Sequence, residues 1–283
     1  MTKPMSIKIG KYENFSLILL IMIRYTVILF LLSFFIFSCK KEGCTDAVAE
    51  NYNSNANTDD GSCTYLMDIL KIKVNSTFGA QNFYLDSIYQ TDEGYFVKFT
   101  DVKFFISDLK NNSDTLVHSA LYDFRETQNK LLSAAGDHLK FGSLTGNIGI
   151  DSSINHDDPS MFPNDSPLNI GNAGLMHWGW NTGYIFISIE GKVDTLAIGD
   201  NFNHNFSFHV GTDSLLDSFS FNGLVWTPTA DGHQLEWSLD LKTFLNNSQS
   251  PIDLKNEFLT HSGSGQLILA EKVKNNFMMA LTP

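Results

Sequence analysis

Apolar and polar residues alternate along most of the chain after residue 66, and this alternation predicts β-strands. In the first run, Leu70, Ile72 and Val74 alternate with Ile69 and the two lysines at 71 and 73. Successive side chains therefore lie on opposite faces of the strand. Helical spacing is convincing only over 264–281, and short helices are candidates over 128–135 and 240–246. Similar alternation predicts further strands over 83–89, 95–109, 115–124, 183–190, 205–210, 218–224 and 235–241.

Short strands separated by Gly, Asn and Asp turns, without long helices to build βαβ units, indicate an all-β fold. We expect residues 67–283 to form an antiparallel Greek-key β-sandwich with a C-terminal helix and long loops. The Asp-Glu-Gly sequence at 92–94 predicts a hairpin turn, and Asp101 is a candidate position for a bulge or a corner in a strand long enough to bend. Segment 147–174 is rich in Asn, Asp, Pro and Gly, and loops of that length are usually functional.

The N-terminus has the pattern of an export signal over residues 1–38. An apolar run at 28–37 follows Arg24 and ends before Cys39, which two lysines follow. This boundary resembles a bacterial lipobox and implies cleavage before Cys39, lipidation of its sulfur and anchoring in the cell envelope, on the periplasmic or surface side. The alternatives are an uncleaved anchor or a buried helix. Met22 makes a better start than Met1, so residues 1–21 are a candidate extension outside the functional signal.

Residues 39–66 form a short polar module between the lipidated cysteine and the body. With Cys39 lipidated, Cys44 and Cys63 are left as a pair that an exported chain would oxidise. The segment resembles the short Cys-Thr-Asp and Asp-Gly-Ser-Cys repeats of exported bacterial proteins. Two interpretations remain open, and we favour a disulfide-tied spacer over a calcium-binding loop. The calcium loop would use hard oxygen ligands from Asp46, Asp59 and Asp60.

Composition and charge narrow the classes of function. Of the 283 residues, 43% are hydrophobic and 13% aromatic, which excludes a disordered chain. The net charge is −12, and after residue 38 it is −15, so the body would repel nucleic acid and gains no attraction from an anionic membrane surface. No nucleophile elbow, His-Glu-x-x-His sequence or glycine-rich phosphate loop occurs. We therefore expect a protein that is not an enzyme.

Three histidine-containing segments carry the candidate chemistry. His177 lies beside Trp178 and Trp180, His156 lies in a polar turn of the long loop, and His209 lies in the predicted strand 205–210. Because side chains alternate along a strand, His209 faces away from the apolar residues of its own strand. By the same rule the two tryptophans share one side of an extended segment. Taken alone, each histidine is also consistent with a plain surface or turn residue.

In their order along the chain, these and other segments resemble the MbnP-like copper-binding proteins across 67–283. The resemblance implies a β-sandwich that holds copper through His156 and His209. In some members a tryptophan, here Trp178 or Trp180, is oxidised to kynurenine, which implies a partner oxidase. The matching segments are 102–109 (VKFFISDL), 155–159 (NHDDP), 166–169 (SPLN), 176–180 (MHWGW), 183–186 (GYIF) and 206–211 (FSFHVG).

The implied chemistry is coherent, with two departures from the family pattern. Neutral imidazole suits copper, which lies high in the Irving–Williams order, and kynurenine offers lone pairs that an indole N–H does not. His177 replaces an aromatic residue, so it is either a third ligand or a packing substitute. The segment 211–215 lacks the cysteine that the family often has after His209.

Two functions fit these features. The first is a lipid-anchored copper-binding protein for acquisition, storage or delivery, which requires His156, His209 and the tryptophans to lie close together. The alternative is a cell-surface binding or adhesion module that uses Trp178 and Trp180 as a flat, exposed platform. Only the geometry of the site distinguishes them.

Overall fold

The computed structural model describes residues 22–24, 40–65, 67–179 and 182–283. The chain divides into two compact units, Met1–Leu66 and Met67–Pro283. Cys39 and nearly all of the expected signal over 1–38 lie outside the described residues, so both stay predictions. In the part of the chain that is described, no helix is both long and apolar enough to cross a membrane.

Residues 40–65 of the first unit are held together by a disulfide and local hydrogen bonds. Cys44 and Cys63 form the expected disulfide, with their Cα atoms 4.7 Å apart. The Asn51 side chain donates to the Ser62 carbonyl oxygen at 2.5 Å and accepts from the Thr64 amide at 2.8 Å. Because this segment has few apolar residues to bury, the cross-link and the polar contacts supply its order.

The second unit is built from short strands, as the alternation of apolar and polar residues predicts. Within the described residues the strands are β1 (Asp68–Phe78), β2 (Gln81–Asn82), β3 (Tyr89–Gln90), β4 (Phe96–Asn111), β5 (Asp114–Asp123), β6 (Lys130–Gly136), β7 (Ser143–Ile148), β8 (His177–Gly179), β9 (Gly183–Tyr184), β10 (Ile187–Asp194), β11 (His204–Val210), β12 (Asp217–Asn222), β13 (Thr227–Thr229), β14 (Gly232–Asp240), β15 (Leu259–Thr260) and β16 (Leu281–Thr282).

Helices are short except at the C-terminus. In the described residues of the second unit, the α-helices are α1 (Phe124–Thr127), α2 (Ser152–Asn155), α3 (Ile170–Ala173), α4 (Leu241–Leu245) and α5 (Leu267–Ala280). Single 3₁₀ turns occur at His138–Phe141, Pro159–Met161, Gly174–Met176 and Asp213–Leu215. Helix α5 buries Ala270, Val273 and Phe277, and the Phe277 ring lies 5.0 Å from that of Phe104 in the core. The helical spacing over 264–281 is therefore confirmed.

Two larger sheets pack face to face and make the fold the expected all-β sandwich. One has the order β13-β14-β1-β2, with β16 beside β14 and β6 beside β1. The other has the order β12-β7-β4-β10-β11-β15, with β3 and β5 beside β4, and β8 and β9 form a small separate ladder. Between the sheets, the Phe219 ring meets the fully buried Trp237 ring edge to face at 5.7 Å. Such interdigitation of inner faces is how a sandwich forms its core.

Most strand pairs are antiparallel, but the longest ladder of the first sheet is not. Strands β1 and β14 run parallel from Ile69 beside Gly232 to Thr77 beside Asp240. Strand β15 also pairs with β11 in parallel. The pairing of β1 with β14 connects the first strand of the body to one near its end, which the local pattern of residues does not reveal.

Several local predictions are confirmed. Strand β4 covers most of the predicted 95–109, and the turn at 92–94 joins it to β3 as an antiparallel hairpin. The expected bulge is also present: opposite β10, Glu190 pairs with Asp101 and Gly191 pairs with Phe99, so Thr100 is the extra residue. The bend lets one long strand pair with several neighbours.

Two predicted elements are wrong. The predicted helix over 128–135 is instead a turn followed by strand β6 (Lys130–Gly136), because Ile72 of β1 pairs with Leu132 and draws this segment into the sheet. Residues 83–88 have no strand structure and turn at 85–86, with Asp86 at a φ of 63°, and the Phe83 and Tyr89 rings stack at 5.7 Å. Phe83, Leu85 and Tyr89 pack in or against the core, but the backbone between them does not form a strand.

Replacing Gly191 with alanine should destabilise the sandwich by about 1–3 kcal/mol or more, because overpacking is costly where backbone lies close. The added methyl group would collide with the Lys98 carbonyl oxygen and the Phe206 ring. Gly142→Ala is the matched control, since a Cβ there meets nothing within 4 Å, and it should stay within about 0.5 kcal/mol of wild type. Urea denaturation measures both, and equal effects would contradict the tight packing at Gly191.

Candidate metal centre

His209 lies on the outer face of the pair formed by β10 and β11. Phe206, Phe208 and Val210 are buried on the opposite face of β11, as the alternation predicts. The His209 Nε2 atom lies 2.7 Å from Glu190 Oε1 on β10. This hydrogen bond is the main reason that the pKa of Glu190 lies below its ordinary value of 4.5, and burial of the carboxylate opposes it. An imidazole held by a carboxylate is a common arrangement around metals.

His261 lies directly against His209. The two rings stack with centroids 4.9 Å apart and an interplanar angle of 16°. The parallel pairing of Thr260 with Phe208 brings this segment beside β11, and the Ser262 hydroxyl donates to the His209 carbonyl oxygen at 3.1 Å. Burial, followed by the charge of His209, lowers the pKa of His261. The His261 imidazole is therefore neutral near neutral pH.

Trp178 lies beside His209, with ring centroids 6.5 Å apart. Gly211, just after β11, makes this approach possible, because a Cβ there would lie 3.0 Å from the Trp178 ring. The indole is half-buried and packs against the hydrophobic core. It is therefore not the flat, exposed platform that an adhesion module requires. Trp180 lies outside the described residues.

His156 follows α2 and pairs with a different carboxylate. Its Nε2 atom lies 3.1 Å from both oxygens of Asp213. The adjacent Asn155 is fully buried, donates to Asp213 Oδ1 at 2.8 Å and accepts from the Tyr184 amide at 2.9 Å. These bonds fix the start of the long loop against β9 and the segment after β11.

His156 and His209 therefore lie at the same end of the sandwich. Asp213, which holds His156, is four residues after His209, and four residues span at most about 14 Å. Among the described residues, however, neither histidine belongs to a group of three His, Cys, Asp or Glu ligand atoms within 4.8 Å of one another. Copper ligation by His156 and His209 stays a prediction.

The surroundings of His177 favour the packing interpretation over a third ligand. Its Nδ1 atom accepts a hydrogen bond from the Gly179 amide at 3.2 Å, and its ring lies 4.7 Å from that of Tyr184. Burial lowers the pKa of His177, with Asp158 opposing. The neutral ring then carries its proton on Nε2, which is buried without a hydrogen-bond partner, so no lone pair is left for a metal.

The aspartates of the first unit do not converge on a shared point. In the described part of the chain, Asp46, Asp59 and Asp60 form no group of three ligand atoms within 4.8 Å. Each caps its own turn: Asp46 accepts from the Val48 amide, Asp59 from Gly61 and Asp60 from Ser62, all at 2.9–3.0 Å. These contacts fit the spacer, and calcium stays a prediction.

Sequence reasoning missed three residues of the site. Glu190 could have been found, because it alternates with the apolar residues of a predicted strand and so shares the outer face with His209. Asp213 stands in the segment where the family pattern departs, but nothing there marks it as a partner of His156. His261 reaches the site only through the parallel pairing of β15, which gives no local signal.

The fold and the site define a β-sandwich with histidine–carboxylate pairs and an indole gathered at one end. The family model for MbnP matches residues 68–263, and the chain belongs to the MbnP family. The structure of MbnP from Methylosinus trichosporium is similar at 13% identity, over 64% of this chain and 78% of that one, with a TM-score of 0.44. No curated protein matches the chain.

Removing the imidazole in His209→Ala should raise the pKa of Glu190 toward 4.5, because the hydrogen bond that stabilises the carboxylate is lost. Carbon-detected NMR of the glutamate side chains measures the titration. The folding stability that depends on this lowered pKa is fully present above about pH 4.5. It is lost as the pH falls through the lowered pKa of Glu190 in the folded protein. His156→Ala is the control and should leave Glu190 unchanged, and an unaltered pKa in His209→Ala would contradict the assignment.

Proposed function

We propose that this protein binds copper through His156 and His209 and acts in acquisition, storage or delivery rather than catalysis. One observation carries the proposal: each of these two imidazoles engages a carboxylate through Nε2. When Nε2 carries the proton and donates it to the carboxylate, the lone pair of a neutral ring is on Nδ1. Both histidines then offer a ligand atom, and Asp213 and Glu190 orient the rings.

The remaining ligands would come from the residues around His209. The neutral His261 ring supplies a further imidazole, and imidazole ligands suit copper. Trp178, beside His209, is our proposed precursor of a kynurenine, with Trp180 as the other candidate. Membership of the MbnP family, which is associated with copper, supports this choice of metal. By family analogy a partner oxidase would carry out the tryptophan oxidation.

Wild-type protein stripped with chelator and reloaded with copper should bind about one equivalent more than the His156→Gln plus His209→Gln variant. Glutamine keeps an N–H donor for Asp213 and Glu190, so the fold around the site is preserved while the imidazole ligands are lost. Elemental analysis after gel filtration measures the difference.

His118→Gln plus His204→Gln is the matched control for the copper experiment, since it removes two histidines from β5 and β11 outside the site. The control should retain all of its copper. Equal copper in the wild type and in the His156 and His209 variant would exclude this site. Peptide mass spectrometry on residues 175–186 tests separately for kynurenine.

We propose further that the protein is exported and lipid-anchored in the bacterial cell envelope. The apolar run before Cys39 and the disulfide between Cys44 and Cys63 support export, since disulfides persist in oxidising compartments. Between the anchor and the sandwich, residues 40–66 would act as a spacer.

Cys39→Ser should abolish incorporation of labelled fatty acid and move the protein from the membrane to the soluble fraction, because the acyl chains supply the anchoring. Metabolic labelling followed by membrane fractionation measures both. Cys44→Ser plus Cys63→Ser is the control and should keep the label. Labelling of Cys39→Ser at the wild-type level would refute the lipidation site.

A further inference from the structure

A second cluster of potential ligands lies in the other sheet, at the ends of β6, β1 and β14. Strand β1 pairs with β6 in antiparallel fashion and with β14 in parallel. The start of β1, the start of β14 and the end of β6 therefore lie side by side at one end of the sheet. Asp68 and His233 lie on the core-facing side of β1 and β14, near the start of each strand. His138 continues the core-facing side of β6 just beyond the end of that strand. Each lies two residues from a buried position on the same side, namely Leu70, Gly136 and Leu235.

The three side chains converge on one point. The His233 Nδ1 atom lies 2.7 Å from Asp68 Oδ2, and the His138 Nδ1 atom lies 3.5 Å from the same oxygen. The two imidazoles stack with centroids 3.6 Å apart and an interplanar angle of 19°. One ligand atom from each residue lies within 4.8 Å of the ligand atoms of the other two residues. No other group of three His, Cys, Asp or Glu residues among the described residues meets this condition.

One of these ligand atoms lacks a hydrogen bond. The Nδ1 atom of His138 is buried without a hydrogen-bond partner, although it faces the carboxylate. A buried polar atom without a hydrogen-bond partner lowers the stability of the fold unless another group binds it. The side chains of His138, His233 and Asp68 are 27%, 18% and 34% exposed, so the cluster is half-buried.

We infer that Asp68, His138 and His233 bind a divalent transition-metal ion of the zinc and copper class. Metal–ligand distances of about 2.0–2.2 Å in a tetrahedral site separate neighbouring ligands by about 3.3 Å. The two nitrogen–oxygen distances here, 2.7 and 3.5 Å, bracket that spacing. Two imidazoles exclude calcium and magnesium, which take oxygen ligands, and suit zinc and copper.

The ion would connect three strands that are far apart in sequence. Asp68 lies 165 residues from His233, and the metal would join both to the segment after β6. Three protein ligands leave a fourth position for water. This site shares no residue with the centre around His209, which belongs to the eight-stranded sheet, so it does not depend on the proposed function.

Zinc titration of metal-free protein tests this inference. Wild type should bind one more equivalent of Zn²⁺ than the His138→Gln plus His233→Gln variant, as measured by isothermal titration calorimetry and elemental analysis. Zinc at a hundredfold excess over Kd should raise the Tm of wild type by about 5–10 °C more than that of the variant. Asp68→Asn should weaken zinc binding at this site by at least about tenfold, because it replaces a charged carboxylate ligand with a neutral amide, and even loss of a partner outside the ligand set typically costs that much.

Two comparisons keep the result specific. The His156→Gln plus His209→Gln variant should retain the equivalent assigned to Asp68, His138 and His233, and His118→Gln plus His204→Gln should behave as wild type. In wild type, one equivalent of Zn²⁺ should shift the imidazole NMR signals of His138 and His233, a readout that needs no folded variant. Unshifted signals under saturating zinc, or equal zinc in wild type and the His138 and His233 variant, would show a purely hydrogen-bonded cluster and overturn the inference.

Discussion

The close approach of β4, β10 and β11 at Gly191 determines the geometry of the candidate metal centre. Where Gly191 pairs with Phe206, the Lys98 carbonyl and the Phe206 ring fill the space that any Cβ would need. The bulge at Thr100 lies at the same level and shifts the register between β4 and β10. Beyond this point, strict alternation places Glu190 and His209 together on the outer face while Phe208 fills the core.

The sequence predicts what depends on local pattern. Period-two alternation identifies β1, β4 and β11, and the apolar spacing of α5 identifies the C-terminal helix. The same reasoning gives the correct face for His209. It fails where tertiary pairing overrides local preference, as in β6, and where apolar residues are buried without an extended backbone, as around Asp86.

The partners of the histidines show a further limit of sequence reasoning. His156, His209 and His233 each engage a carboxylate, and none of these carboxylates is a neighbour of its histidine in the chain. In an acidic chain the number of candidate pairs is large, so spacing alone selects none of them. Glu190 could have been derived from the face of its strand. The pair of His233 with Asp68 depends on the parallel ladder between β1 and β14, which only the tertiary fold reveals.

That parallel ladder also constrains how the protein folds. Strand β1 is the first strand of the body to be synthesised, whereas its partner β14 lies near the C-terminal end of the body. The first sheet is therefore completed only when almost all of the body is present. Contacts between such distant residues form slowly, and an unpaired edge of β1 is a site for aggregation until then. An incomplete chain therefore cannot complete its first sheet, and the pairing of β1 with β14 is a late step in the folding of the sandwich.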